Sequence, residues 1–255
     1  MATKFLEKWF AVTAILIALV ATTAAQRAIS NLEIIKKTIA AAGGENWRRP
    51  KTLQLSGTAT LYQQGMAAES YQMTVYKMWR VFPNSNDEAH KANGKVRFDA
   101  YEGDKLFFQI AFDGQTTVNH LSDAAQKQAD NFKWDNAFGF SILRFADGAG
   151  FELTRMADDA VEGFPCYFIR VVDPKKNETV FGIDRQNFYV RSVAFQTPLG
   201  FHNRIYSDFK WNQNPRFLQP TRVRLFYNGV KTADIHWRTF KVNEPIDDNV
   251  FAIRK

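Results

Sequence analysis

Four histidines, one cysteine and two aspartate pairs are the first groups to weigh for proton transfer, nucleophilic attack or metal binding. Their spacing does not assemble any of these chemistries. His90, His120, His202 and His236 are scattered, and no two stand at the i, i+4 separation of a helical metal-ligand pair. Cys166 is alone, which excludes a disulfide framework and a multi-cysteine metal site. Asp158-Asp159 precedes the Gly163-Phe164-Pro165 turn and Asp247-Asp248 precedes the last apolar residues, so both read as solvated turns. There is no nucleophile elbow and no phosphate-cradling glycine loop. The expectation is a protein that is not an enzyme and uses neither metal nor cofactor. What the chain has in excess is apolar bulk: 15% of its 255 residues are aromatic, and 23 are Phe.

The elements that must position this bulk are legible in sequence order. Lys4 and Lys8, the apolar run from Trp9 to Ala21 and the small residues Thr23-Ala24-Ala25 form an export signal, with Gln26 as the first mature residue. The run is shorter than the ~20 residues that span a bilayer. Residues 1–25 are therefore read as a cleaved signal peptide and 26–255 as one domain in the periplasm. No cysteine follows the run, so the chain is not acylated there.

Ser30-Asn31-Leu32-Glu33 reads as a capping box, Leu32, Ile35, Ile39 and Ala42 recur at helical spacing, and Gly43-Gly44 supplies a stop. The spacing predicts a helix over 31–42. From Leu53 onward the pattern has period two: Leu53 to Leu61, Tyr71 to Val81, Val96 to Tyr101 and Leu106 to Phe112, separated by Gly and Asp turns. It breaks from Ser122 to Ala146, where alanines and Phe132, Trp134, Phe138, Phe140 and Phe145 favour helix, and then resumes from Phe151 to Val242. Asn228-Gly229 is a hairpin signal. Short strands with such turns predict an antiparallel meander, barrel or sandwich, mainly β with a minor helical part.

The order of elements resembles the outer-membrane lipoprotein-sorting superfamily, the LolA/LolB-like fold. The likeness lies in a signal peptide, a helix ending in Ala42-Gly43-Gly44 and the Ser56-Gly57 strand, followed by Ile183-Asp184, Tyr189-Val190-Arg191, Leu199-Gly200, Tyr206-Ser207-Asp208-Phe209, Pro220-Thr221-Arg222, Val242-Asn243 and Asp247 to Phe251. It covers nearly the whole mature chain. The resemblance implies an open antiparallel half-barrel of about eleven strands, with an N-terminal helix, a helical lid and a hydrophobic cavity. It implies a periplasmic carrier that binds a lipid or a lipoprotein acyl chain for transfer toward the outer membrane. A relative serves as an envelope-stress sensor, so the alternative is a sensor or scaffold module that binds a protein partner. No binding residue carries over, because the motifs are structural.

A half-barrel of this kind needs an apolar concave face, since an acyl chain gains affinity from apolar contact at ~25 cal/mol per Å². Alternation offers Leu55, Val75, Trp79, Phe98, Phe108, Ile110, Val193, Phe195, Phe209 and Leu225 on strands, and Trp134, Phe138 and Phe140 on the lid. The charge is equally uneven. Between Arg185 and Lys255 twelve Lys and Arg stand against five Asp and Glu, which accounts for the whole formal charge of +7. Within that stretch the alternation predicts Arg204, Lys210, Arg222 and Arg224 on one sheet face, as a solvated surface or a dock for an anionic membrane or an inner- or outer-membrane partner protein. An exported monomer is not expected to meet nucleic acid.

Overall fold

A computed structural model describes residues 29–63, 69–82, 94–114, 116–119, 139–198 and 200–252. The expected export signal (residues 1–25), His90, His120, Trp134 and Phe138 lie outside the described residues.

Helix α1 (Asn31–Ala42) spans the predicted range and buries Ile34, Ile35, Thr38, Ile39 and Ala42. Leu32 is exposed instead of joining this stripe. At 3.6 residues per turn it sits about 90° from the stripe's centre. The stop is as expected: Gly44, at φ +64°, donates its N–H to the Ile39 carbonyl at 2.9 Å. Gly43 passes so close to a neighbouring strand that a Cβ there would lie 2.5 Å from the Arg216 carbonyl oxygen. One further turn, α2 (Glu45–Arg48), leads into the sheet.

The first strands are β1 (Thr52–Tyr62), β2 (Ser70–Val81), β3 (Lys95–Glu102), β4 (Lys105–Phe112) and β5 (Thr117–Asn119). After the helix α3 (Phe140–Phe145) come β6 (Glu152–Arg155), β7 (Asp159–Val161), β8 (Phe164–Val172) and β9 (Glu178–Asp184). The chain continues with β10 (Val190–Thr197), β11 (Gly200–Asn212), β12 (Phe217–Tyr227), β13 (Val230–Val242) and a 3-10 turn over Asp248–Phe251. All thirteen strands belong to one antiparallel sheet, ordered β5-β4-β3-β2-β1-β13-β12-β11-β10-β9-β8-β6, with β7 on β8. Two meanders thus meet at a central seam where β1 pairs with β13. The sheet is an open half-barrel, with β5 and β6 at its edges. The two strands beyond the expected eleven are β5 and β7, each of three residues.

Both helical ends of the chain's first turn pack on one face, called inner below: α1 against β12 and β6, and α2 against β12 and α3. Register assigns the strands to that face. Leu55, Met78, Phe98 and Ile110 form one cross-strand row, and Gly57, Tyr76, Ala100 and Phe108 form the next. Val193, Phe181 and Ile169 line it on the other half and are fully buried.

Register also corrects three expectations. Gly57 pairs with Tyr76 but Ala59 pairs with Met73, so Thr74 and Val75 together oppose Thr58. This β-bulge shifts the alternation by one. Tyr76, Met78 and Arg80 therefore turn inward, while Val75 and Trp79 belong to the outer face. There Trp79 lies under the Arg97 guanidinium at 5.6 Å. Phe209 is also outer: it pairs with Pro220, on the face of Arg222, and rests against Tyr189 at 4.9 Å. Finally, the four basic residues do not share a face. Arg222 pairs with Ser207 and Arg224 with Ile205, whereas Arg204 pairs with Leu225 and Lys210 with Gln219, so Arg204 and Lys210 are on the opposite side. Arg222 is held by Asp234 at 2.9 and 3.1 Å, and Arg224 by Glu162. The docking surface expected from alternation is not formed.

Candidate functional site

The inner face is where the expected apolar residues converge. Leu55, Ile110, Val193 and Phe195 are buried on it, and Phe98, Phe108 and Leu225 are half-buried. Sequence reasoning missed the ring at the centre of this floor. Tyr76 touches Phe98 (5.9 Å between centroids), Phe108 (6.1 Å) and Trp237 (5.4 Å), because the bulge in β2 points it inward. Tilted and edge-on contacts at these distances are the favoured arrangement of aromatic rings. The floor offers a ligand area and dispersion, with few hydrogen bonds.

One end of the face is covered by α3. Of Trp134, Phe138 and Phe140, expected to face the ligand from the lid, Phe140 lies among the described residues and packs between Trp47 (5.7 Å) and Tyr206 (4.8 Å). The expected segment Ser122–Ala146 is helical over Phe140–Phe145, and its part before Gly139 lies outside the described residues. Asp147, just after the helix, is clamped by both terminal nitrogens of Arg48 at 3.0 and 2.5 Å.

Three arginines enter this end from three elements. The Arg144 guanidinium of α3 lies over Trp47 at 4.7 Å and over Phe82 at 5.1 Å, and Arg80 of β2 lies over the same Phe82 ring at 5.8 Å. Arg204 of β11 covers Phe195 at 5.1 Å and donates its Nε–H to His202 Nε2 at 2.8 Å. Burial, reinforced by Arg80, pushes Arg144 down to about 9. Burial and then Arg204 push Arg80 down to about 10. Arg144 and Arg80 therefore remain cationic at neutral pH. No spacing rule announces this cluster; it depends on the β2 bulge and on the pairing of β11 with β12.

His202 is 1% exposed, and burial followed by the adjacent Arg204 pushes its pKa down to about 2. It accepts from Arg204 through Nε2, so its proton sits on Nδ1, which has no partner. The unfolded imidazole takes up a proton near pH 6.5, and the folded one does not until far lower. Acid therefore favours the unfolded chain, and stability is lost as pH falls below 6.5, by about 2 kcal/mol at pH 5. Urea titrations should show that difference between pH 7 and pH 5, reduced in His202→Gln, which keeps an acceptor for Arg204 but does not titrate. An identical pH slope in the variant would remove His202 as the cause.

Of the other groups weighed for catalysis, Cys166 and Asp158 are partnered outside this cluster. Cys166 is buried, burial pushes its thiol up to about 11, and Sγ donates to the Phe164 carbonyl at 3.2 Å. Asp158 is bound by Arg155 and lies 3.5 Å from Arg185. Among the described residues no three His, Cys, Asp or Glu converge as a metal site, and no helix is long and apolar enough to cross a membrane.

No family model and no curated protein sequence matches this chain. Solved structures do. A protein described as an outer membrane lipoprotein-sorting domain, from Vibrio parahaemolyticus, superposes with a TM-score of 0.52 at 11% identity, covering 86% of this chain and 95% of its own. A DUF1329 family protein from Desulfovibrio piger gives a TM-score of 0.52 at 8% identity, with 87% and 95% covered. A LolA superfamily protein from Nitrosomonas europaea gives 0.49 at 10% identity, with 89% and 99% covered. At such identities the likeness speaks for architecture alone: the open antiparallel sheet of this chain shares the fold of the Vibrio parahaemolyticus outer membrane lipoprotein-sorting domain and of the DUF1329 family protein.

Proposed function

We propose that this protein is a periplasmic carrier that holds a lipid or a lipoprotein acyl chain against the inner face of its half-barrel, for transfer toward the outer membrane, and that it performs no catalysis. The observation that carries this reading is the half-buried aromatic floor: Phe98 and Phe108 sit around Tyr76 on the face of an open sheet, and neither is closed over as a core residue would be. Each such side chain gains about 1.5–3 kcal/mol on full burial, which an acyl chain can supply. The remaining finer points of the reading are its expectations: export with cleavage after Ala25, and a monomeric carrier.

The test is native mass spectrometry with lipid extraction of protein purified from its own host. The wild type should carry a lipid of defined mass. Phe108→Glu places a carboxylate on the floor where water still reaches it, so the variant should melt near the wild type and emerge without lipid. A wild type free of lipid, or a Phe108→Glu variant that retains it, would overturn the carrier.

A further inference from the structure

A purely apolar cargo would not need cations beside its binding floor, yet three guanidinium groups converge there. Arg144 is 4% exposed and makes no ion pair with a carboxylate among the described residues. Its Nε is buried without an acceptor. The neighbours that face it are the rings of Trp47 and Phe82 and, over the same Phe82 ring, a second cation, Arg80. Arg204 reaches the start of the same helix, where its Nη1 lies 3.3 Å from the position a Cβ on Gly139 would take. Burying a charge away from water costs several kcal/mol unless an opposite charge compensates it. The outer face shows what this chain does when compensation is structural: Arg222, Arg224 and Arg97 each have a carboxylate partner. Arg144 is left with an open hydrogen-bonding position and like charge beside it.

We propose that Arg144, with Arg80 and Arg204, is the headgroup end of the site, and that the ligand is a long-chain amphiphile with a single anionic head, a carboxylate or a phosphate. This rests on the carrier reading and names its cargo class. The geometry fits an extended chain. Arg80 and Tyr76 lie on the same inner face of β2, four residues or about 13 Å apart at 3.3 Å per residue, so a head at Arg80 and Arg144 puts the tail on the floor of Tyr76, Phe98 and Phe108. Arginine suits either oxyanion through its planar fork of donors.

The probes are cis-parinaric acid, a fluorescent fatty acid, and its methyl ester, titrated into the purified protein. The wild type should bind the acid at least about tenfold more tightly than the ester, the scale of one charge-assisted contact. Arg144→Met keeps the packing on Trp47 and Phe82 and removes the charge. It should melt no lower than the wild type, hold the ester unchanged and lose most of the preference for the acid. Arg144→Lys should retain part of that preference, and it serves as the readout if the Met variant does not fold. Displacement of the acid by lysophosphatidate but not by lysophosphatidylcholine would extend the class to phosphate heads; displacement by neither would restrict it to carboxylates. Equal binding of acid and ester by the wild type, or an undiminished preference in Arg144→Met, would overturn the anionic head while leaving the carrier standing. Failure of both probes to bind would count against the carrier itself.

Discussion

Gly57→Val should leave the protein unable to fold, or reduce its stability by more than about 4 kcal/mol, a large share of the 5–15 kcal/mol typical of a domain. Gly57 stands in the seam between β1 and β13 at the point where register shifts past Ser56. A Cβ there would lie 1.9 Å from the His236 carbonyl oxygen and 2.8 Å from its carbon and from the Trp237 Cα. These are backbone atoms of the strand that joins the two meanders, so no side-chain rotation can relieve the clash. Ser56→Ala, one residue away on the outer face, should change stability by less than about 0.5 kcal/mol. Soluble expression and urea midpoints of the two variants make the comparison. A Gly57→Val protein within 1 kcal/mol of the wild type, as a rough threshold, would mean that the seam is not built this closely.

Asp184→Asn should cost about 3–5 kcal/mol, the range for removing one partner of a buried ion pair. Asp184 receives two donors of Arg191, Nε at 3.0 Å and Nη2 at 2.8 Å, through one carboxylate oxygen. Its other oxygen accepts the N–H of Gln186 at 2.9 Å and of Asn187 at 3.3 Å, closing the turn from β9 to β10. Side-chain exposures of 4% for Asp184 and 10% for Arg191 leave little solvent to replace the lost charge. Asn can still accept from the turn amides, so the loss reports on the charge. The double variant Asp184→Asn/Arg191→Met should then recover at least half of it, with Met taking the place of a guanidinium stacked 3.8 Å from the Phe164 ring. A double variant no more stable than Asp184→Asn would show that the turn, rather than the stranded cation, carries the cost.

Period-two alternation made eleven strands readable, because a run such as Leu53 to Leu61 repeats its apolar face several times. A three-residue strand such as Thr117–Asn119 contains no repeat to detect. Faces were harder to read than strands. Alternation says that residues 71, 73, 75 and 79 share a side only while the ladder is regular, and the extra residue at Thr74–Val75 breaks it. That single bulge moved Val75 and Trp79 out, and brought in Tyr76 and Arg80. The basic residues failed for a different reason. Arg204 alternates within β11 and Arg222 within β12, but which residues stand opposite each other is set by pairing, and pairing is not visible inside either strand. The apolar half of the site was therefore accessible from sequence where the ladders are regular, whereas its cationic end was not.

The seam also sets an order in time. Lys51 donates to Asn243, 192 positions later in the chain, and β1 acquires its second neighbour only when β13 is present. During synthesis β1 and β12 both wait as open edges, and the strand that satisfies the two of them is made after both. Neither meander can complete its sheet early, and closing so distant a pairing is intrinsically slow. A nascent chain thus stays unlocked until β13 arrives, and any truncation before Val230 would leave the edges of β1 and β12 exposed to pairing with other chains.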